Sequence, residues 1–315
     1  MKIVIIDGYT LNPGDLSWGG IEEFGQVTLY DRTPDALVQD RCKDADIILT
    51  NKVPISADTI QAATGLKLIC VTATGFNIVD VEAARKRNIP VCNIPGYGTA
   101  SVAQHTFALL LELTNHVGLN STSVKEGMWE KSPDFCYTKA SLTELNEKTF
   151  GIIGFGKIGE QVATIAKAFG MNVIYYSIEK KDTALATFVD LKTMFTSSDV
   201  ISLHCPLTKA NNQFVNHDLL NLVKPSLLMI NTARGQLINE HDLAEALNTD
   251  KLAGAALDVL SKEPPTHSNP LLHAKNCLIT PHNAWMSLEA RTRMLAITKK
   301  NIEGFLANKP VNTVA

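Results

Sequence analysis

The stretch Thr149-Phe-Gly-Ile-Ile-Gly-Phe-Gly-Lys-Ile-Gly-Glu-Gln-Val-Ala-Thr-Ile-Ala-Lys-Ala-Phe-Gly170 decides the fold of this chain. Its apolar run at 150–153 predicts a buried strand, because short β-branched runs fill parallel sheets. Gly154, Gly156 and Gly159 follow as a G-x-G-x-x-G turn. From Ile158 onward Val162, Ile165, Ala166 and Phe169 recur at helical spacing, and Gly170 stops the helix. A second strand is expected at 172–176.

A glycine-rich turn alone is weak evidence. Placed between a strand and a helix, within a β-α-β unit, it reads as a dinucleotide site. Free backbone N–H groups at a helix N-terminus hold the negative charge of a pyrophosphate. The first glycine allows the tight turn, the second lets the backbone approach phosphate, and the third lets the helix pack on the strand. One position departs from the pattern. The acidic residue that would take the ribose hydroxyls belongs about 20 residues on, where this chain has Ser177, followed by Ile178, Glu179, Lys180 and Lys181. A serine does not repel a 2′-phosphate and the lysines can pair with one, while Glu179 remains able to reach a ribose. The residues lean toward NADPH being accepted and leave NAD(H) and NADP(H) both open.

At 315 residues the chain suggests two domains. A net charge of −3, with no basic block, argues against a nucleic-acid or polyanion binder. Cys42, Cys70, Cys92, Cys136, Cys205 and Cys277 form no C-x-x-C pair, so they read as reduced residues, mostly in the core, rather than as a disulfide or metal framework. The N-terminal run Met1-Lys-Ile-Val-Ile-Ile-Asp7 is too short for a signal peptide and reads as a first strand. No run approaches the roughly 18 apolar residues that cross a membrane. A cytoplasmic, membrane-free protein is the expectation.

Before the opening motif, buried strands are expected at 3–6, 46–49, 68–71 and 90–92. Helix starts are expected at Thr33-Pro-Asp35, Ser56-Ala-Asp58 and Asp80. This makes a small doubly wound unit. Pro95-Gly-Tyr-Gly98 marks a break. The apolar helix after it, at about 100–117, is expected to lie between domains or in a subunit interface. Residues 118–146 read as an irregular connecting or oligomer-contact segment. Further strands are expected at 200–203, 227–231, 255–258 and 278–280, with a helix at 240–248, giving the six strands of a full Rossmann sheet. The closing helix, 288–306, is expected to return to the first domain.

Three consecutive strands of the second unit end in polar side chains. Asn231-Thr-Ala-Arg-Gly235 sets Arg234 beyond one strand, Asp258 and Glu263 follow the next, and Ile279-Thr-Pro-His-Asn-Ala-Trp285 sets His282 beyond the last. Ligands of open α/β sheets bind at such carboxyl ends. An arginine grips a carboxylate with two parallel bonds. A histidine beside a carboxylate gives a proton to a carbonyl oxygen as hydride arrives. Taken singly, Arg234 reads as a surface ion pair, Glu263 as a loop charge and His282 as a capped loop residue. Their joint placement behind a dinucleotide motif favours carbonyl reduction.

These segments, with Val71-Thr-Ala-Thr-Gly-Phe-Asn-Ile-Val-Asp80, Ser101-Val-Ala-Gln-His-Thr106 and Leu203-His-Cys-Pro-Leu-Thr208, resemble the D-isomer-specific 2-hydroxyacid dehydrogenase family over nearly the whole chain. The resemblance implies an α/β fold of two doubly wound parallel-sheet domains. The smaller, flavodoxin-like substrate domain is expected at 1–99 with 287–315, and the Rossmann NAD(P)-binding domain at 100–286. It implies Arg234, Glu263 and His282 as the catalytic trio, with His282 as acid/base. It places Thr106, Gly154, Gly156, Lys157, Ile158, Gly159, Ser177, Cys205, Pro206, Thr232, Ala233, Arg234, Asp258 and His282 at the dinucleotide. Lys52, Thr74, Gly75, Arg234, His282 and Trp285 are implied at the substrate, although Lys52 also reads as an ordinary loop lysine and Trp285 as packing. No metal is expected, and a homodimer built around the long helix is. Within the family, His282-Asn-Ala-Trp285 is similar to glycerate dehydrogenases and hydroxypyruvate reductases. D-lactate-type reduction and an NAD(H)-sensing corepressor role stand as alternatives.

Overall fold

Burial on both faces explains the strand sequences. In the computed structural model, which describes residues 1–314, every residue of Ile47–Thr50, Leu68–Val71, Val200–Leu203, Leu228–Asn231 and Gly254–Leu257 is buried. A strand covered on both sides needs a continuous apolar run rather than an alternating one. The chain divides into two compact units, one of residues 1–98 with the stretch from Met286 onward, the other Thr99–Trp285.

The first unit is a five-stranded sheet of β1 (Lys2–Ile5), β2 (Gln26–Leu29), β3 (Ile47–Thr50), β4 (Leu68–Val71) and β5 (Val91–Cys92) in the order β2-β1-β3-β4-β5. All its pairs are parallel, the flavodoxin-like order, with its switch between β1 and β3. The sequence reading missed β2 because that strand is an edge with one neighbour: Gln26, Thr28 and Leu29 are exposed. Ser56 and Asp80 cap their helices by accepting from Thr59 and Ala83 N–H. Thr33 does not cap. Pro34 holds that position, while the Thr33 hydroxyl donates to the Ile6 carbonyl and lies 2.7 Å from Arg41 Nη1. The helix Leu288–Leu306 packs on β4 and the short helix Gly19–Glu22 within this unit. Its Arg291 grips Asp15 with two bonds of 2.6 and 2.7 Å.

The second unit holds seven strands: β6 (Thr149–Ile153), β7 (Asn172–Tyr176), β8 (Thr187–Phe188), β9 (Val200–Leu203), β10 (Leu228–Asn231), β11 (Gly254–Leu257) and β12 (Cys277–Ile279). Their order is β12-β11-β10-β9-β6-β7-β8, all parallel. Six were expected; the two-residue edge strand β8 carries too short a signal to read. The order reverses between β6 and β9, and the helix Lys157–Ala168 connects β6 to β7 through the glycine turn.

The apolar helix Thr99–Asn115 lies on this sheet, against β10, β11 and the helix Lys157–Ala168. Phe107 stacks on Phe150 and Phe169 with ring centroids 5.8 and 5.4 Å apart. Packing inside the unit therefore accounts for much of its apolarity. The segment expected to be irregular contains a helix, Val117–Lys125. Gly118, Ser121, Thr122 and Ser123 are weak helix formers and hid it. All six cysteines are free. Burial pushes the thiols of Cys42 and Cys277 up to about 12 and those of Cys92 and Cys205 to about 11, and it also raises that of Cys70.

Candidate active site

Because β10, β11 and β12 are neighbours, the loops after them lie side by side. Buried Asn231 ends β10 and folds the next residues back on themselves. Its Nδ2 donates to the Arg234 carbonyl at 2.9 Å and its Oδ1 accepts from Ala233 N–H at 3.0 Å. This turn leaves the Arg234 side chain exposed, with Nη1 donating to the Ala233 carbonyl at 2.6 Å.

The loop after β11 is braced twice. Glu240 accepts from Ser261 N–H at 2.7 Å, Ser261 Oγ at 2.6 Å and Asn269 Nδ2 at 3.0 Å. Glu263 turns back on its own loop, accepting from Leu260 N–H at 3.0 Å through Oε1. Its other oxygen, Oε2, stands 2.6 Å from His282 Nδ1. A carboxylate at this distance fixes the orientation of the ring.

His282 sits at φ +54°, a left-handed backbone that a residue with a Cβ adopts only when its surroundings enforce it. Asp258, 1% exposed, does the enforcing. Its Oδ1 accepts from Thr280 Oγ1 at 2.6 Å and Asn283 N–H at 2.9 Å, and its Oδ2 accepts from Ala284 N–H at 2.9 Å. His105 closes the group, with Nε2 3.1 Å from Thr280 Oγ1 and 3.5 Å from Asp258 Oδ1. The peptide N–H and hydroxyl donors compensate the buried charge, and the loop carrying His282 is wrapped around it.

At the reversal between β6 and β9 the backbones nearly touch. Gly154 has φ +96°, and a Cβ there would come within 2.4 Å of Cys205 N; one on Gly159 would come within 2.4 Å of the Gly154 carbonyl oxygen. A Cβ on Gly156 would meet nothing within 4 Å. Gly156 is the N-cap of the helix Lys157–Ala168 and contributes no side-chain cap. The turn thus combines open space with uncapped backbone donors, which fits a dinucleotide pyrophosphate. Ser177, just after β7, donates its hydroxyl to the Glu179 carbonyl. Lys181 Nζ is 2.7 Å from Glu160 Oε1, and the Tyr175 hydroxyl bonds both the N–H and the carbonyl of Lys181 at 2.8 Å.

The structure therefore gathers Thr232, Ala233, Arg234, Asp258, Glu263 and His282 at one end of the sheet. Gly154, Gly156, Lys157, Ile158, Gly159, Cys205 and Pro206 gather around its reversal. Two of the residues expected at the dinucleotide, Thr106 and Asp258, are buried. Thr106 is fully buried, its hydroxyl donating to Val102 and lying 3.3 Å from that of Thr232. Asp258 is spent on the His282 loop, as described. Trp285 is half-buried at the end of this unit, whereas Lys52, Thr74 and Gly75 follow β3 and β4 of the other unit. Sequence reasoning missed Asn231, Gly235, Glu240 and His105, which touch the key loops from behind. Among the described residues no group of three or more His, Cys, Asp or Glu could hold a metal, and no helix is long and apolar enough to cross a membrane.

His204, in the Leu203–Thr208 segment after β9, makes a pH prediction. Its Nε2 is 2.8 Å from Ser202 Oγ, and burial pushes its pKa down to about 3 from 6.5. The unfolded chain takes up a proton here near pH 6.5 and the folded chain resists it. The stabilising contribution is therefore intact above that pH and is lost as pH falls toward 3. In His204→Gln, the urea midpoint is expected to fall less between pH 7 and pH 5 than in the unaltered protein.

A doubly wound sheet with a glycine turn at its reversal and an imidazole–carboxylate pair beyond its last strands defines a dinucleotide-dependent oxidoreductase. Residues 107–284 match the family model described as D-isomer specific 2-hydroxyacid dehydrogenase, NAD binding domain. The chain is 46% identical over 320 aligned residues to a hydroxypyruvate reductase of Blautia hydrogenotrophica, covering 100% of this chain and 99% of that one. It is 39% identical to a glycerate dehydrogenase of Methylorubrum extorquens, covering 90% and 89%. Among solved structures, an acyclic imino acid reductase (Bsp5) in complex with NADPH and D-Arg superposes with a TM-score of 0.87 at 33% identity, each chain covered in full. The chain belongs to the D-isomer specific 2-hydroxyacid dehydrogenase family, and its cofactor is a nicotinamide dinucleotide.

Proposed function

We propose that the protein reduces hydroxypyruvate to D-glycerate, with glyoxylate to glycolate as a side reaction. The observation that carries this reading is the 2.6 Å contact between His282 Nδ1 and Glu263 Oε2 at the carboxyl ends of neighbouring strands. Family membership and the names borne by the hydroxypyruvate and glycerate relatives support the substrate. The dinucleotide, when bound, supplies the hydride for the carbonyl carbon. With Nδ1 occupied by Glu263, Nε2 of His282 is the ring nitrogen that delivers a proton to the carbonyl oxygen. Glu263 holds the ring in the orientation that delivery needs. Arg234 binds the substrate carboxylate and draws the carbonyl into line. In the first unit, the backbone at Thr74 and Gly75 and the side chain of Lys52 are assigned to substrate binding. Residues 1–98 and the C-terminal stretch are on this reading the substrate domain, and Trp285 packs beside the substrate.

Both nicotinamide cofactors are expected to serve, with NADPH well accepted. Ser177 carries no charge to repel a 2′-phosphate, and Lys180 and Lys181 lie just beyond it. Ser177→Asp is expected to raise KM for NADPH by at least tenfold while changing that for NADH less; equal effects on both would show that residue 177 does not read the phosphate. A homodimer is proposed as well. The arm after the helix Thr99–Asn115 exposes Val117, Leu119, Val124, Trp129 and Phe135, the last at 90%, more apolar surface than an isolated arm commonly leaves bare.

The deciding experiment follows NADH and NADPH oxidation with hydroxypyruvate, glyoxylate, pyruvate and a branched 2-oxoacid. Hydroxypyruvate is expected to give the highest kcat/KM. A preference for pyruvate would instead support D-lactate-type reduction. No turnover on any of the four would overturn the reading and favour a nucleotide-sensing role.

A further inference from the structure

We infer that Asp7 is a positioning residue for substrate binding, because it fixes the backbone that presents Lys52. The inference rests on the reading above, in which the loops after β3 and β4 are assigned to substrate binding.

The sheet order of the first unit reverses between β1 and β3, and ligands of open α/β sheets bind beyond the strand ends at such a reversal. Asp7 leaves the end of β1 there and is only 7% exposed. Its Oδ1 accepts from Asn51 N–H at 2.8 Å, and its Oδ2 accepts from Lys52 N–H at 2.6 Å and Val53 N–H at 2.9 Å. Three successive peptide N–H groups after β3 thus converge on one buried carboxylate, which sets the path of the loop residue by residue.

The same loop is tied to the next strand. Buried Asn51 donates from Nδ2 to the Thr72 carbonyl at 2.7 Å, and Thr72 N–H donates to the Thr50 carbonyl at 2.8 Å. Two residues on, the Thr74 hydroxyl donates to the Ile94 carbonyl at 2.9 Å, and Asn93 Nδ2 donates to the Thr74 carbonyl at 2.8 Å. Hydrogen bonds thus link Asp7 through Asn51 to Thr72, and the chain two residues on is held at Thr74 by its own bonds to Ile94 and Asn93. Lys52 is exposed while both residues flanking its peptide bonds are held. Such an arrangement holds a lysine and a backbone donor pair at a set spacing before substrate arrives, which lowers the ordering cost of binding.

A neutral amide at position 7 cannot replace the carboxylate. Whichever way an asparagine turns, its NH2 faces at least one peptide N–H that had an acceptor. In Asp7→Asn, KM for hydroxypyruvate is expected to rise at least tenfold. The dissociation constant for NADH, read by nucleotide fluorescence, is expected to stay within twofold because the glycine turn belongs to the other unit. Asn51→Ala, which cuts the tie to Thr72 and leaves Asp7 in place, is expected to raise KM by at least threefold, and it serves if Asp7→Asn does not fold. An unchanged KM in the folded variants, or a loss of NADH affinity in proportion to KM, overturns the positioning role while leaving the reductase reading intact. If the unaltered protein turned over none of the 2-oxoacids, the reductase reading itself would fail and take this inference with it.

Discussion

His282→Ala is expected to lower kcat by on the order of 10²–10⁴, the usual contribution of a positioned general acid, with the dissociation constant for NADH nearly unchanged. The expectation comes from geometry. His282 Nδ1 stands 2.6 Å from Glu263 Oε2, and the His282 backbone is held at φ +54° by a loop whose N–H groups are anchored on Asp258. Removing the imidazole leaves that anchorage whole, so the loss should fall on proton delivery rather than on folding. Single-turnover kinetics with hydroxypyruvate check this, because they separate the chemical step from product release. A variant that kept more than a tenth of the original single-turnover rate would show that the proton comes from elsewhere. Glu263→Gln, by the same reasoning, keeps the shape of the pair and removes the charge, and its loss should be smaller than that of His282→Ala.

Gly235→Ala is expected to cost about 3 kcal/mol of stability, the upper end for overpacking a filled site, and to depress kcat/KM in whatever fraction folds. A Cβ at residue 235 would stand 1.9 Å from the carbonyl carbon of Leu260 and 2.4 Å from Ser261 N. The obstacle is backbone, which cannot swing aside as a flexible side chain does. That backbone is itself fastened, since Ser261 N–H is bound to Glu240 and Leu260 N–H to Glu263. Pushing the two loops apart would displace Arg234 on one side and Glu263 on the other. Chemical denaturation of the variant, together with its kinetics, checks both parts. A variant as stable as the unaltered protein would mean that the loops separate freely and that their contact does not register the site.

Much of the site was legible because strand ends and side-chain chemistry are local features. The apolar runs ending at Ile153, Asn231, Leu257 and Ile279 mark where strands stop. The residues just beyond them, Arg234, Glu263 and His282, have chemical characters that suit carbonyl reduction. The supporting residues were less readable. Asp7, Asn51, Glu240 and Asn231 look like ordinary polar residues in sequence, and their importance lies in partners that are remote along the chain or that depend on a turn's path. Thr106 and Asp258, expected at the dinucleotide, also have buried partners that no motif announces: Thr106 lies against Thr232, and Asp258 holds the His282 loop.

The sequence by itself determined the element types, the β-α-β character of both halves and the glycine turn, because hydrophobic period and turn chemistry are written residue by residue. Short edge strands such as β2 and β8 escaped it, since a strand with one neighbour need not be apolar throughout. Only the tertiary structure decided which strands stand together. The reversals between β6 and β9 and between β1 and β3 follow from packing the whole sheet, and they bring the glycine turn beside Cys205 and the Asp7 carboxylate beside the Lys52 loop. The spacing of residues along a chain says what each can do, but which of them meet is settled by long-range pairing that no local pattern encodes.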